Sequence, residues 1–227
     1  MQVLFIIAVV AIVIGLVLWG QQVAAKRRME LRNWAAAHGL SFSGASDHSM
    51  ESAYPFFSCL TRGNNRYAYN VIQGDYQGRP VCAFDYHYQT YSTTSKGHRQ
   101  THHHRFSAVI LTTDVPLKPL LIRTETLFDK IGAFFGHEDI NFESAEFSRE
   151  FCVTSPDRRW AFDVLNQPSM EFLLAAPRFT LEFGGLFAMA YRNGAFSILD
   201  YQAALDVIVG LIGRIPKTVL DELKGTS

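Results

Sequence analysis

Residues 3–20 (VLFIIAVVAIVIGLVLWG) carry no charge, and this run constrains the chain more than any other feature. As a helix it extends roughly 27 Å, close to the ~30 Å hydrocarbon core of a bilayer. A lone segment in lipid must satisfy its own N–H and C=O groups, so a helix is expected despite the many β-branched residues. Trp19 closes the run where an interfacial aromatic belongs, and Gln21 and Gln22 open a polar flank. A cleaved signal peptide is the rival, because Ala24-Ala25 imitates a cleavage site. Yet only Met1 and Gln2 precede the run, neither is basic, and the run is longer than the apolar core of such peptides. A permanent transmembrane anchor over residues 1–22 is the expectation.

Lys26, Arg27, Arg28 and Arg32 follow the run directly and are assigned to the membrane surface. Held at the cytoplasmic headgroups, they put the N-terminus outside the cell membrane and the remaining ~200 residues in the cytoplasm, as a single-pass protein. Cys59, Cys82 and Cys152, odd in number and far apart, fit reduced buried thiols better than a disulfide framework. The chain holds 21 basic and 21 acidic residues; setting aside Lys26, Arg27 and Arg28 leaves 18 against 21. A mildly acidic body lacks the basic face that a nucleic-acid partner requires.

Residues 23–39 are rich in helix formers and end at Gly39, so a juxtamembrane helix is expected to continue the anchor, with Trp34 docked on a domain spanning residues 40–227. Strands are expected at 40–42, 56–61, 67–75 (Tyr67, Tyr69 and Val71 facing away from Ala68, Asn70 and Ile72), 80–91 and 102–111, with a tight turn at Gln77-Gly78 and a polar loop over 92–101. Pro116 and Pro119 mark a crossing before a short strand at 120–122. A helix over 124–134, a strand over 147–154, a helix introduced by Ser155-Pro156-Asp157 with Ser155 as its cap, and a helix near 168–175 follow. Strands 178–183 and 186–191 are split by Gly184-Gly185, and Asn193-Gly194 turns a hairpin into 195–199. Asp200 then caps an amphipathic helix carrying Leu205, Ile208, Val209 and Ile212, broken by Pro216. The fold class is α+β: a transmembrane helix, then a mainly antiparallel sheet domain with interspersed helices and a C-terminal helix.

The stretches NVIQGDYQGRPVCAFDYHYQTY and DINFESAEFSREFCVTSPDRRWAFDVLNQPSMEFLL resemble a group of bacterial single-pass membrane proteins whose domain has no assigned function. The resemblance covers most of residues 30–215 and rests on packing positions: Phe142, Phe147, Phe151 and Val153 read as strand, and Asp157, Ala161 and Leu165 as a capped helix. It implies a membrane-anchored domain and supplies no catalytic residue.

Histidine is the unusual feature. If residues whose numbers sum to about 191 face one another, His87 lies opposite His104 with His102 two residues along, near Asp85. His87, His102 and His104 are then candidate ligands for Zn²⁺ with a position to spare. A one-residue change of register brings in His103 and dissolves the cluster, and imidazoles merely tolerated at a solvated strand end are the plainer reading. His137-Glu138 opens like a zincin motif but Asn141 ends it, and no nucleophile elbow, Walker A loop or dinucleotide fingerprint occurs. Glu143 and Glu146 carry no complete chemistry, and Arg158-Arg159-Trp160 reads as a solvated helix face with Trp160 or Phe162 packed beneath it. The 18 Phe, 9 Tyr and 3 Trp fit a dense core better than an open groove. A binding module for a protein or lipid at the membrane is therefore expected ahead of an enzyme. A metal-dependent hydrolase using the histidines, and a structural subunit of a membrane complex, are the alternatives.

Overall fold

The computed structural model describes residues 2–94, 97–124 and 139–225. The apolar run is helical, and the helix continues well past it: α1 spans Gln2–Ala37. Gly39, at φ 69°, then reverses the chain. Its N–H reaches Ala36 O at 3.2 Å and that of Leu40 reaches Ala35 O at 2.8 Å, the paired bonds of a Schellman cap. The two ends of α1 live in different surroundings. Its most apolar 18-residue window is 0 % buried, whereas Leu31 and Ala35 lie within the main core beside Leu40, Ile72 and Val81.

The body is one antiparallel sheet. Its strands are β1 (Ser41–Ser43), β2 (Asn64–Tyr76), β3 (Arg79–Thr93), β4 (Arg99–Thr124), β5 (Phe151–Thr154) and β6 (Thr180–Asn193). They pair in the order β1-β2-β3-β4-β5, with β6 along the other side of β4. Between and after them come α2 (Met50–Ala53), α3 (Ala145–Glu150), α4 (Arg158–Val164), α5 (Gln167–Ala175), α6 (Ile198–Ile212) and α7 (Lys217–Gly225). One face of the sheet carries the larger core, into which α1, α4, α5 and α6 send Leu31, Trp160, Leu173 and Leu205. The opposite face carries a smaller, aromatic core of Phe57, Phe84, Tyr86, Phe106 and Tyr191. Cys59, Cys82 and Cys152 are buried free thiols. The α+β class is as expected.

Several elements differ from expectation. Residues 58–61 form a 3₁₀ turn rather than a strand. The β3–β4 hairpin runs further, pairing to Thr93↔Arg99, so the polar loop is shorter. β4 continues through Pro116 and Pro119, absorbing them in register shifts against β6 between Thr112 and Leu120. Residues 147–150 are helical because the Ser144 hydroxyl caps α3 through Phe147 N; the strand begins at Phe151. Asp157, not Ser155, caps α4. β6 passes through Gly184-Gly185 without a break. Asn193-Gly194 leads into no strand; the chain enters α6, whose cap is Ser197 in a reciprocal box with Asp200 at N3. Thr124, expected to open a helix over 124–134, instead ends β4; the rest of that helix, Phe134-Phe135 and His137-Glu138 lie outside the described residues.

Candidate functional site

Arg27, Leu31 and Ala35 are spaced four apart, so they share one face of α1, and that face is the one the domain covers. Lys26, Arg28 and Arg32 point elsewhere and are exposed. Arg27 therefore departs from the surface role expected of it. Its guanidinium forks onto Asp85, with Nη2–Oδ1 at 2.8 Å and Nε–Oδ2 at 3.2 Å, and Nη1 donates to Phe196 O at 2.6 Å. Burial alone would lower the Arg27 pKa; the bond and charge of Asp85 outweigh it and raise the value.

Asp85 is 2 % exposed and gathers donors from three further side chains. Asn70 Nδ2 donates at 2.8 Å and Tyr201 OH at 3.1 Å, and Ser107 Oγ also donates. The Ser107 hydroxyl in turn accepts from Phe196 N at 2.9 Å. Asn70 reaches Asp85 because of a bulge. Register shifts between Tyr69 and Ile72, and Asn70 sits at φ 52°. The extra residue resets the alternation, so Val71 joins Ala68 in the aromatic core while Ile72 faces the helices, against the pattern expected for this strand.

Over this network lies a cleft of about 620 Å³. One wall is the end of the apolar run and the turn after it: Gly20, Val23, Ala24, Arg27 and Arg28. The other is the sheet, with Tyr67, Tyr69, Asn70 and Arg105. Tyr69 is raised in pKa, first by burial and then by Asp85, with Arg105 and Arg27 opposing. The Asn70 Oδ1, in a side chain that is 3 % exposed, has no hydrogen-bond partner among the described residues. Its orientation is set, because only the amide nitrogen can donate to Asp85.

The fold has a solved counterpart. The crystal structure of the mycobacterial trehalose monomycolate transport factor A, TtfA, superposes with a TM-score of 0.62 over 83 % of this chain and 96 % of that one. Identity is 13 %, so what is shown is a shared fold. No protein-family model and no curated sequence matches the chain.

The histidines are not gathered as expected. Pairing follows a sum of 192, so His87 faces Arg105 and His103 faces Gln89. His87 Nε2 meets His103 Nδ1 at 3.1 Å on one face. His102 and His104 point to the other, where they meet Ser92 and Thr90 hydroxyls at 2.7 Å. Among the described residues no group of three His, Cys, Asp or Glu is placed to hold a metal ion. Burial, and then neighbouring His103 and Arg105, hold the His87 pKa below its ordinary value despite a bond to Asn65 O.

Sequence reasoning overlooked a second buried carboxyl. Glu182 is 0 % exposed and accepts from Ser58 N at 3.0 Å and Ser58 Oγ at 3.4 Å. Burial outweighs those bonds and pushes its pKa up to about 7. The expectations for the helix face at 158–160 hold: Trp160 is buried, with Nε1 donating to Lys118 O at 3.0 Å, and Arg158 and Arg159 are exposed.

Proposed function

We propose that this chain is a bilayer-tethered module that binds a lipid headgroup in the cleft where α1 leaves the membrane, with its domain in the cytoplasm. The observation that carries the proposal is the composition of the two walls. Residues of the apolar run and the turn after it (Gly20, Val23, Ala24) face a sheet surface bearing Tyr67, Tyr69 and Arg105, with Arg28 at the rim. A molecule in that cleft has its tail beside lipid and its head beside two guanidiniums, which suit a phosphate. The unpartnered Asn70 Oδ1 at the base accepts a hydroxyl or ammonium proton, so the favoured ligand carries both a phosphate and such a donor. The cationic flank Lys26, Arg28 and Arg32 supports a cytoplasmic domain. A fold shared with a trehalose monomycolate transport factor is in keeping with a lipid-binding module, though not with a phosphate in particular.

Native mass spectrometry of the full chain released from nanodiscs tests the proposal. Phosphatidylglycerol or phosphatidylethanolamine should remain bound to the wild type. Arg28→Gln/Arg105→Gln, both at exposed positions, should lose it about tenfold or more while staying folded. Equal lipid retention by the two proteins would overturn it.

A further inference from the structure

A second cavity, of about 720 Å³, opens among the 3₁₀ turn's exit, β3, β4 and β6. Its wall contains Arg62, Arg105 and Arg192 and, among the described residues, no carboxylate. Arg192 is engaged with Asp200 at 2.8 Å and lies over the Phe179 ring, and the buried Glu182 carboxyl behind the wall acts on Arg62 and Tyr191, so the cavity is basic by the excess of three guanidiniums over the carboxyls that face them. Tyr88 and His104 add a flat face, stacked at 4.6 Å and 13°. Gly63 lets the turn pack directly on β3: it sits at φ 63°, and a Cβ there would stand 2.2 Å from Gln89 O.

Two hydroxyls decide the chemistry. Thr180 and Tyr191 line the cavity, are 2 % and 5 % exposed, and leave Oγ1 and OH with no hydrogen-bond partner among the described residues. Other buried tyrosines are bonded: Tyr86 OH donates to Leu60 O at 2.8 Å and Tyr201 OH to Asp85. Two orphaned buried hydroxyls in one basic cavity are costly unless something accepts from them. We propose that this cavity is a phosphoryl-binding site, in which Thr180 Oγ1 and Tyr191 OH donate to phosphate oxygens and Arg62 and Arg105 supply the countercharge. The phosphoryl group belongs to a soluble phosphomonoester or to a lipid head, which share this chemistry. Arg105 borders both cavities and is a cation they share, whereas Thr180 and Tyr191 line this one alone and Arg28 only the juxtamembrane one.

The test is calorimetric titration of the full chain in phosphatidylcholine nanodiscs with inorganic phosphate and with phenyl phosphate. Saturable binding is expected, weakened about tenfold by Thr180→Val and again by Tyr191→Phe. In the absence of phosphate both variants should melt at or above the wild-type temperature, because each removes an orphaned group. Lower melting there would assign the hydroxyls to the fold and overturn the site. Equal binding by wild type and variants would mean an adventitious ion only, and so would the absence of saturation. Repeating the titration in phosphatidylglycerol nanodiscs separates the sources: competition with phosphate identifies a lipid head, and unchanged binding a soluble ligand. Arg28→Gln, which acts only in the juxtamembrane cleft, should leave phosphate binding unaltered, so failure of one site does not imply failure of the other.

Discussion

Asp85 joins α1, β2, β4 and α6 through a single carboxylate. Removing one partner of a buried ion pair strands the other, so Asp85→Ala should cost about 3–5 kcal/mol in urea unfolding of the detergent-solubilised chain. Arg27→Lys keeps the charge but loses the fork and the bond to Phe196 O, and should cost about 1–2 kcal/mol in the same assay. A loss under about 0.5 kcal/mol in Asp85→Ala would show that the network contributes little. Glu182 makes a prediction in pH. Its folded pKa of about 7 lies above the value in an unfolded chain, so the folded state holds a proton that the unfolded state has released. Stability is therefore greatest below about pH 4.5 as far as this group is concerned and falls by about 3 kcal/mol as pH rises to 7. Glu182→Gln should flatten that slope in unfolding curves taken from pH 4.5 to 8; an unchanged slope would refute the assignment. Neither carboxyl was legible as special beforehand. Asp85 sits in an ordinary strand pattern, and its donors lie up to 116 residues away. The spacing of Arg27, Leu31 and Ala35 did contain the signal for docking, but a cation next to an apolar run reads first as a headgroup contact.

At the scale of elements, what local chemistry specifies was readable and what long-range pairing specifies was not. The Gly39 stop, the Gln77-Gly78 turn, with both residues at positive φ, and α5 follow from their own residues. The misassigned stretches are those where a neighbour decides. β4 keeps its prolines in a strand because β6 accompanies it through two register shifts. Asn193-Gly194 fails to make a hairpin because Phe196 is held by Ser107 and Arg27. The histidine cluster turned on one residue of register, a quantity the hairpin's length fixes and its composition does not. Within β6, Gly184 and Gly185 lie under Phe56: an added Cβ would stand 2.6 Å from Phe56 Cβ at Gly184 and 2.5 Å from its ring at Gly185. Gly185 is also at φ 57°. Gly185→Ala should cost about 2 kcal/mol or more. Gly194→Ala, at φ 86° with open space around it, should cost about 1 kcal/mol. Thermal melts of the two variants check the order, and Phe56→Ala should narrow the gap between them; a larger loss in Gly194→Ala would contradict the packing described.

At the scale of the whole molecule, one helix has two kinds of surroundings. Its apolar window is fully uncovered by protein, while ten residues further on the same helix is part of the core and of a buried ion pair. Domain and apolar run are thus joined through one continuous helix, α1, rather than by a non-helical linker; on the proposed reading this keeps the cleft beside the bilayer edge. The apolar run and its cationic flank were legible from composition alone; the coupling was not, because it depends on which face of α1 the sheet meets. The most direct test is protease digestion of membrane vesicles from cells producing the chain with a C-terminal epitope. The account predicts that the epitope is lost from inverted vesicles, is protected in spheroplasts, and stays in the membrane pellet on a chain retaining its first 25 residues. Epitope digested in spheroplasts, or recovered in the soluble fraction on a chain beginning near Lys26, would contradict it.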